Sequence, residues 1–70
     1  MKSVVDLPPG GSAKILKFEN AKTASLLESM GLFIGQSIHV IHKSATIVIG
    51  VNHRMVAMSK SLARKVHVSL

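Results

Sequence analysis

The chain of 70 residues contains no cysteine, tryptophan or tyrosine, and only three acidic residues. Without cysteine it can form neither disulfides nor thiolate metal ligands. Its carboxylates are limited to Asp6, Glu19 and Glu28, which is a poor supply for catalysis or for coordinating a metal. Its two phenylalanines, Phe18 and Phe33, cannot make the aromatic platform on which single-stranded nucleic acids stack. These absences weigh against an enzyme, a metal or cofactor site, and a nucleic-acid-binding module.

Long hydrophobic runs are also missing. The run from Ala45 to Val51 is short, whereas a transmembrane helix needs roughly 18 consecutive apolar residues or more. The N-terminus shows no apolar core of a signal peptide. We therefore expect a cytoplasmic protein without membrane insertion, folded as a single domain over residues 1–70.

Positive charge is what the chain has in excess, with a net charge of +6. Such a balance favours an acidic partner: nucleic acid, an anionic membrane surface or an acidic protein. The cations are spread along the chain, however, and only Arg64 and Lys65 adjoin. An ordinary solvated surface would show the same pattern.

Five segments alternate or are rich in β-branched residues, and each predicts a short strand: residues 12–18, 36–42, 46–51, 54–58 and 66–70. In the first of them, Ala13 and Ile15 should lie on one side, and Leu16 and Phe18 on the other. The pair Asn52-His53 between the third and fourth strands predicts a tight hairpin.

The segment from Ala21 to Met30 predicts one amphipathic helix, with Asn20 as its N-cap and Gly31 at its C-terminal end. Residues 60–64 predict a single helical turn, and residues 6–11 a turn rich in proline and glycine. Short strands with tight connections favour a mainly β fold. We expect a small curved sheet or partly open barrel of five strands, with one α-helix after the first strand.

Four segments form a pattern that runs in order through nearly the whole chain: DLPPGGSAKI at 6–15, ASLLESMGLFIGQSIHV at 24–40, VNHRMVAMS at 51–59 and SLARKVHV at 61–68. The most specific block is Met30-Gly31-Leu32 followed by Gly35. With these segments the chain resembles the ferrous iron transport protein A (FeoA) family. The resemblance implies an SH3-like barrel.

The resemblance also implies a non-enzymatic cytoplasmic accessory of bacterial ferrous iron uptake. Its partner would be the cytoplasmic part of FeoB, a membrane transporter with a GTP-binding domain. The same domain also occurs at the C-terminus of iron-dependent repressors, but the winged-helix and dimerisation segments of such a repressor are absent from this sequence. Two departures stand out: Lys43-Ser44-Ala45 replaces a longer loop between the second and third strands, and His53 replaces the glycine of the hairpin.

The histidines invite a metal hypothesis because His39 and His42 are three residues apart. A metal site needs three or four converging ligands. On a strand, positions i and i+3 face opposite ways, so the two side chains should diverge. We therefore expect no metal site and interpret these histidines as surface residues.

The residues predicted to contact a partner are Leu32, Phe33, Arg54 and Met55. Large apolar residues in the loop after the helix would partly face solvent, and exposed apolar patches commonly mark partner sites. Alternatively, Leu32 fills the barrel and only Phe33 is free.

A basic rim of Lys22, Arg54 and Lys60 would steer an acidic partner. Two other classes stay open: a small basic nucleic-acid-binding module, and a structural module that self-associates into a homo-oligomer through open strand edges.

Overall fold

The computed structural model describes residues 2–69, and antiparallel strands dominate them. The strands are β1 (Lys2–Ser3), β2 (Ser12–Phe18), β3 (Ser37–Lys43), β4 (Thr46–Val51), β5 (Arg54–Ser59) and β6 (Val66–Ser69). The helices are α1 (Ala21–Ser29) and the single turn α2 (Lys60–Ala63), and a 3₁₀ turn spans Val4–Asp6. The mainly β prediction is confirmed.

All the strands form one antiparallel sheet in the order β1-β6-β2-β3-β4-β5. The sequence predicted five strands, and the additional one is β1, which pairs Lys2 with Val68 and Ser3 with His67. Two residues are too few to produce an alternating pattern, so β1 could not be found from the sequence. As a consequence α1 follows the second strand, not the first. The predicted end of the last strand, Leu70, lies outside the described residues.

Strand β2 contains a bulge that changes which side chains face the core. Its pairing with β6 shifts register between Ile15 and Lys17. Ile15 and Phe18 are therefore both buried, while Leu16 is 44% exposed. The prediction that Leu16 and Phe18 share one side was wrong, because a bulge inserts one residue into the two-residue period.

Helix α1 begins at Ala21 as predicted and ends at Ser29, one residue before the predicted end at Met30. The side chain of Asn20 accepts a hydrogen bond from the backbone N–H of Thr23 at 2.8 Å. At the other end Gly31 has φ +85°, and the N–H of Leu32 donates to the carbonyl of Leu27 at 2.9 Å. This pattern is a Schellman motif, which turns the chain sharply and brings the residue after the glycine back against the helix.

Among residues 2–69, sixteen apolar side chains fill the interior, drawn from both helices and from every strand except the two-residue β1. The largest of them that are fully buried include Leu27 and Leu32 beside the isoleucines of the sheet. The N-terminal segment is tied to this core by Lys43, whose ammonium donates to the carbonyls of Val5 and Leu7 at 2.6 and 3.0 Å. Asp6 accepts a bond from the backbone N–H of Ser3 at 2.9 Å. That bond holds the pKa of the Asp6 carboxyl below its ordinary value.

The β4–β5 hairpin turns through Asn52 and His53, whose φ values are 49° and 64°. Positive φ at both central positions is a type I′ geometry, which favours glycine at the second. We expect His53→Gly to raise the free energy of unfolding by up to about 1 kcal/mol, because it relieves the left-handed strain of a side chain with a Cβ. Denaturant unfolding measures this change in the free energy of unfolding. Ala57→Gly in the adjoining strand is the control and should lower stability. A lower midpoint for His53→Gly would contradict this assignment of strain.

Candidate functional site

The structure separates the four residues predicted to contact a partner into one buried and three exposed positions. Leu32 has no exposed surface, so it belongs to the core and presents nothing to a partner. The Schellman motif at the end of α1 is the physical reason, since it folds Leu32 back under the helix. Phe33 remains 48% exposed and Met55 73% exposed. Ile34, in the same loop as Phe33, is 61% exposed.

Arg54 joins the helix end to the hairpin. Its guanidinium donates from Nη2 to the backbone carbonyl of Met30 at 2.9 Å, one of the carbonyls that a helix C-terminus leaves without an internal partner. The same guanidinium lies directly over Gly31, where a Cβ would stand 1.9 Å from Nη2. Phe33 follows two residues later, and Met55 is the next residue of β5. Arg54 pairs with Val51 and Met55 with Gly50, so the two side chains point to opposite faces of β5. We call these two joined segments, with Phe33, Ile34, Arg54 and Met55, the helix–hairpin surface.

The contact between Arg54 and Met30 gives a direct prediction. We expect Arg54→Ala to lower the free energy of unfolding by about 1 kcal/mol, since an exposed charged donor loses its carbonyl. Amide exchange at the end of α1 should become faster. Arg54→Lys is the matched control and should recover part of the loss, because an ammonium can still donate. Equal stability and exchange in all three proteins would show that the contact contributes nothing.

An open groove adjoins this surface on the outer face of the sheet. Its walls include His39, Ile41, Gly50, His53 and Met55. Register places His39 opposite Gly50 and Gly50 opposite Met55. A Cβ on Gly50 would stand 2.3 Å from Cε1 of His39, so glycine is what lets the imidazole lie across the sheet. A glycine inside a strand often marks such a close approach, and this signal was present in the sequence.

The two histidines of β3 do not diverge, which corrects the prediction from strand period. The pairing of β3 with β4 shifts register between Val40 and His42, leaving Ile41 as the extra residue. After this bulge His42 pairs with Val48, and cross-strand partners lie on the same face. His39 and His42 therefore share the outer face. Across residues 2–69, no three His, Cys, Asp or Glu side chains are grouped so that they could hold a metal ion.

The predicted basic rim does not form as one feature. Arg54 lies at the C-terminal end of α1, whereas Lys22 lies in its first turn, beside a second groove with Leu26 and Lys65. Lys60 begins α2, at the far end of β5 from Arg54. Whether three cations form one rim depends on their distances in the folded chain, which sequence spacing does not give.

The acidic residues are nonetheless distributed unevenly along the chain. Residues 29–70 contain no aspartate or glutamate, so strands β3 to β6 and α2 carry only cations and histidines. From outside this stretch, Glu19 lies 3.6 Å from Nε2 of His67. A surface of this sign attracts acidic groups over about one Debye length, about 8 Å at physiological salt. In the part of the chain that the structure describes, no helix is long and apolar enough to cross a membrane.

The fold defines a class, a small SH3-like barrel, here with an open groove and exposed apolar residues on its outside. The FeoA domain model matches residues 2–70. The chain therefore belongs to the FeoA domain family, which is linked to ferrous iron transport. Among curated proteins, none matches this chain.

Solved structures with the same fold include two FeoA proteins. An iron uptake regulatory protein, FeoA, is 26% identical with a TM-score of 0.87, over 99% of this chain and 97% of that one. The FeoA of Stenotrophomonas maltophilia, crystallised with zinc and described as a prokaryotic SH3 domain protein, is 19% identical with a TM-score of 0.86 over 99% and 91%. A manganese-dependent transcriptional repressor shares the fold at 15% identity and a TM-score of 0.86, and 41% of its length is covered.

Proposed function

We propose that this chain is a non-enzymatic cytoplasmic accessory of ferrous iron uptake that binds the cytoplasmic part of a FeoB-type transporter and modulates it. Membership of the FeoA family supports the link to iron transport. The observation that supports binding is the helix–hairpin surface, where Phe33 and Met55 remain exposed on segments that Arg54 ties together. Exposed large apolar residues beside a cation are typical of protein contacts.

The rigidity of this surface also supports the proposal. Arg54 is held by the Met30 carbonyl, and the N–H of Phe33 donates to the side chain of Gln36 at 2.8 Å. Gln36 in turn donates to the carbonyl of Gly31 at 3.4 Å. A loop that is ordered before binding loses less conformational entropy when a partner docks.

Calorimetric titration of the chain into the purified cytoplasmic part of the transporter tests the proposal. We expect saturable binding that weakens as salt rises, because the surface around the hairpin is basic. Repeating the titration with the nucleotide-free and GTP-loaded forms asks whether the contact depends on the state of the transporter. Absence of detectable binding at high micromolar concentration, with the chain shown to be folded, would overturn the proposal.

A nucleic-acid-binding module is the second candidate, and the acid-free stretch from residue 29 onward is the observation that favours it. Affinity for DNA or RNA should then fall linearly on a log–log plot against salt. Against it, Phe18 is buried and Phe33 is the one exposed aromatic side chain among residues 2–69. A mobility-shift series at increasing salt separates the two candidates.

A further inference from the structure

Strand β5 ends the sheet, and no other strand of residues 2–69 pairs with its outer side. The order of strands places β5 at one edge and β1 at the other. Within residues 2–69, β5 pairs with β4 alone. The edge at β1 is two residues long, whereas β5 extends over six. A strand at an edge presents unpaired N–H and C=O groups to which another chain can pair.

The hairpin determines which residues of β5 carry the free groups. In a hairpin closed by a two-residue turn, the flanking residues, here Val51 and Arg54, exchange both backbone hydrogen bonds. Alternate pairs along the ladder then do the same, so Val56 and Met58 bond to β4. Met55 and Ala57 therefore direct their N–H and C=O groups to the open side.

From Met55 to Met58 this edge contains no proline, charged residue or bulge, and the one charge of the strand is Arg54 at its start, whose guanidinium is engaged by the Met30 carbonyl. Natural edge strands are blocked by proline, by a charged residue within the strand or by a bulge. The β4–β5 register runs without a shift from Thr46↔Ser59 to Val51↔Arg54. The four residues from Met55 to Met58 are all uncharged, and the side chains of Met55 and Ala57 are exposed. The edge is regular and open to a second neighbouring strand.

The charge around the edge selects the chemistry of that neighbour. His53 and Arg54 precede the free groups and Lys60 follows them. On the same outer face lie His39 and His42, and no carboxylate occurs anywhere from residue 29 onward. An added strand with acidic side chains would meet only cations and neutral groups, whereas a basic one would be repelled.

We propose that β5 receives an extended acidic segment of a partner protein as an additional strand. The backbone of Met55 and Ala57 would bond to the segment, and its alternate carboxylates would face the outer, histidine-bearing side of the sheet. Main-chain bonds supply the affinity in this mode of recognition, and alternate side chains supply the specificity. The inference goes beyond the proposed function and rests on it only in that the partner is a protein.

Two other occupants fit the edge less well. A second copy of this chain would bring two molecules of net charge +6 together, and antiparallel pairing about Ala57 would place Arg54 opposite Lys60 of the other copy. A nucleic acid could contact the cations, but it would not form a ladder of hydrogen bonds with the alternating backbone donors and acceptors of the edge. A polypeptide strand is complementary to both the edge and its charge.

The test uses a probe of defined chemistry, an acetylated and amidated hexapeptide of alternating glutamate and valine. Titrated into the ¹⁵N-labelled chain at low salt, it should shift the Met55 and Ala57 amides and slow their hydrogen exchange. The matched lysine–valine peptide should produce no such change. A glutamate–valine peptide with N-methyl groups on alternate residues, which cannot complete the ladder, should bind at least about tenfold more weakly.

A substitution in the chain completes the test. Ala57→Pro removes a donor that the fold does not use, and proline is tolerated at such an edge position; Ala57→Ser keeps the donor and is the control. We expect the proline variant to lose about tenfold or more in affinity and the serine variant to bind like the unaltered chain. Should the proline variant not fold, the N-methylated peptide still tests whether binding depends on the backbone hydrogen bonds of the ladder.

Several results would overturn the proposal. They are equal binding by the lysine peptide or by a folded proline variant, and shifts centred elsewhere on the molecule. A dimer whose Met55 and Ala57 amides are protected without peptide would assign the edge to a second copy. A single-stranded DNA oligonucleotide that perturbs these amides more strongly would assign it to nucleic acid. Peptide binding together with failure to bind the transporter would refute the proposed function and leave this inference standing.

Discussion

Replacing Leu32 by alanine should lower the free energy of unfolding by about 2–5 kcal/mol, the cost of a large cavity in a packed core. Leu32 has no exposed surface, and its N–H completes the motif that ends α1. A domain of 70 residues has roughly 4–10 kcal/mol of stability in total, at about 0.05–0.15 kcal/mol per residue. The variant should therefore lose about half of the stability of the domain.

Ile34→Ala is the matched control, since Ile34 is 61% exposed in the same loop. Its unfolding free energy should change by no more than about 0.5 kcal/mol. Chemical denaturation of both variants measures the difference. Similar losses in the two proteins would mean that Leu32 is not the residue that anchors this loop in the core.

Removing the exposed apolar side chains should have the reverse effect: stability should change little, whereas binding to the partner should weaken. Phe33→Ala and Met55→Ala should leave stability within about 1 kcal/mol of the unaltered chain, because Met55 is 73% exposed and Phe33 48% exposed. Each should weaken binding to the cytoplasmic part of the transporter by about 1–2 kcal/mol, or roughly 5- to 30-fold, as central apolar contacts do.

The control for these variants is Leu26→Ala. Leu26 is 50% exposed, and lines the second groove, beside Lys22 and Lys65. It should bind the transporter with unchanged affinity. Loss of binding in Leu26→Ala, with Phe33→Ala and Met55→Ala unaffected, would move the contact from the hairpin side of the molecule to the start of α1.

Most of the fold could be predicted from the sequence because its signals are local. Asn20 and Gly31 mark the two ends of α1, and both act there as capping chemistry requires. The turn at Asn52-His53 fixed the hairpin and its register. What failed was the face of individual side chains after a bulge, at Phe18 and at His42. One inserted residue reverses the alternation, and nothing in the local pattern indicates it.

The candidate site was less predictable because it depends on contacts between distant segments. Arg54 reaches Met30, 24 positions away in sequence, and only the fold brings them together. The burial of Leu32 could have been anticipated from the glycine before it, since the residue after a Schellman glycine commonly packs against the helix. The imidazole of His39 over Gly50 had a weaker signal, a glycine among β-branched residues.

The central claim is that the helix–hairpin surface binds the cytoplasmic part of a FeoB-type transporter. The most direct measurement is a residue-resolved NMR titration of the labelled chain with that unlabelled protein. The amides of Phe33, Ile34 and Met55 should shift or broaden, while that of Leu26 on the far groove stays unchanged. A folded chain whose spectrum does not change at several hundred micromolar transporter domain, or changes only around Leu26, would contradict the claim.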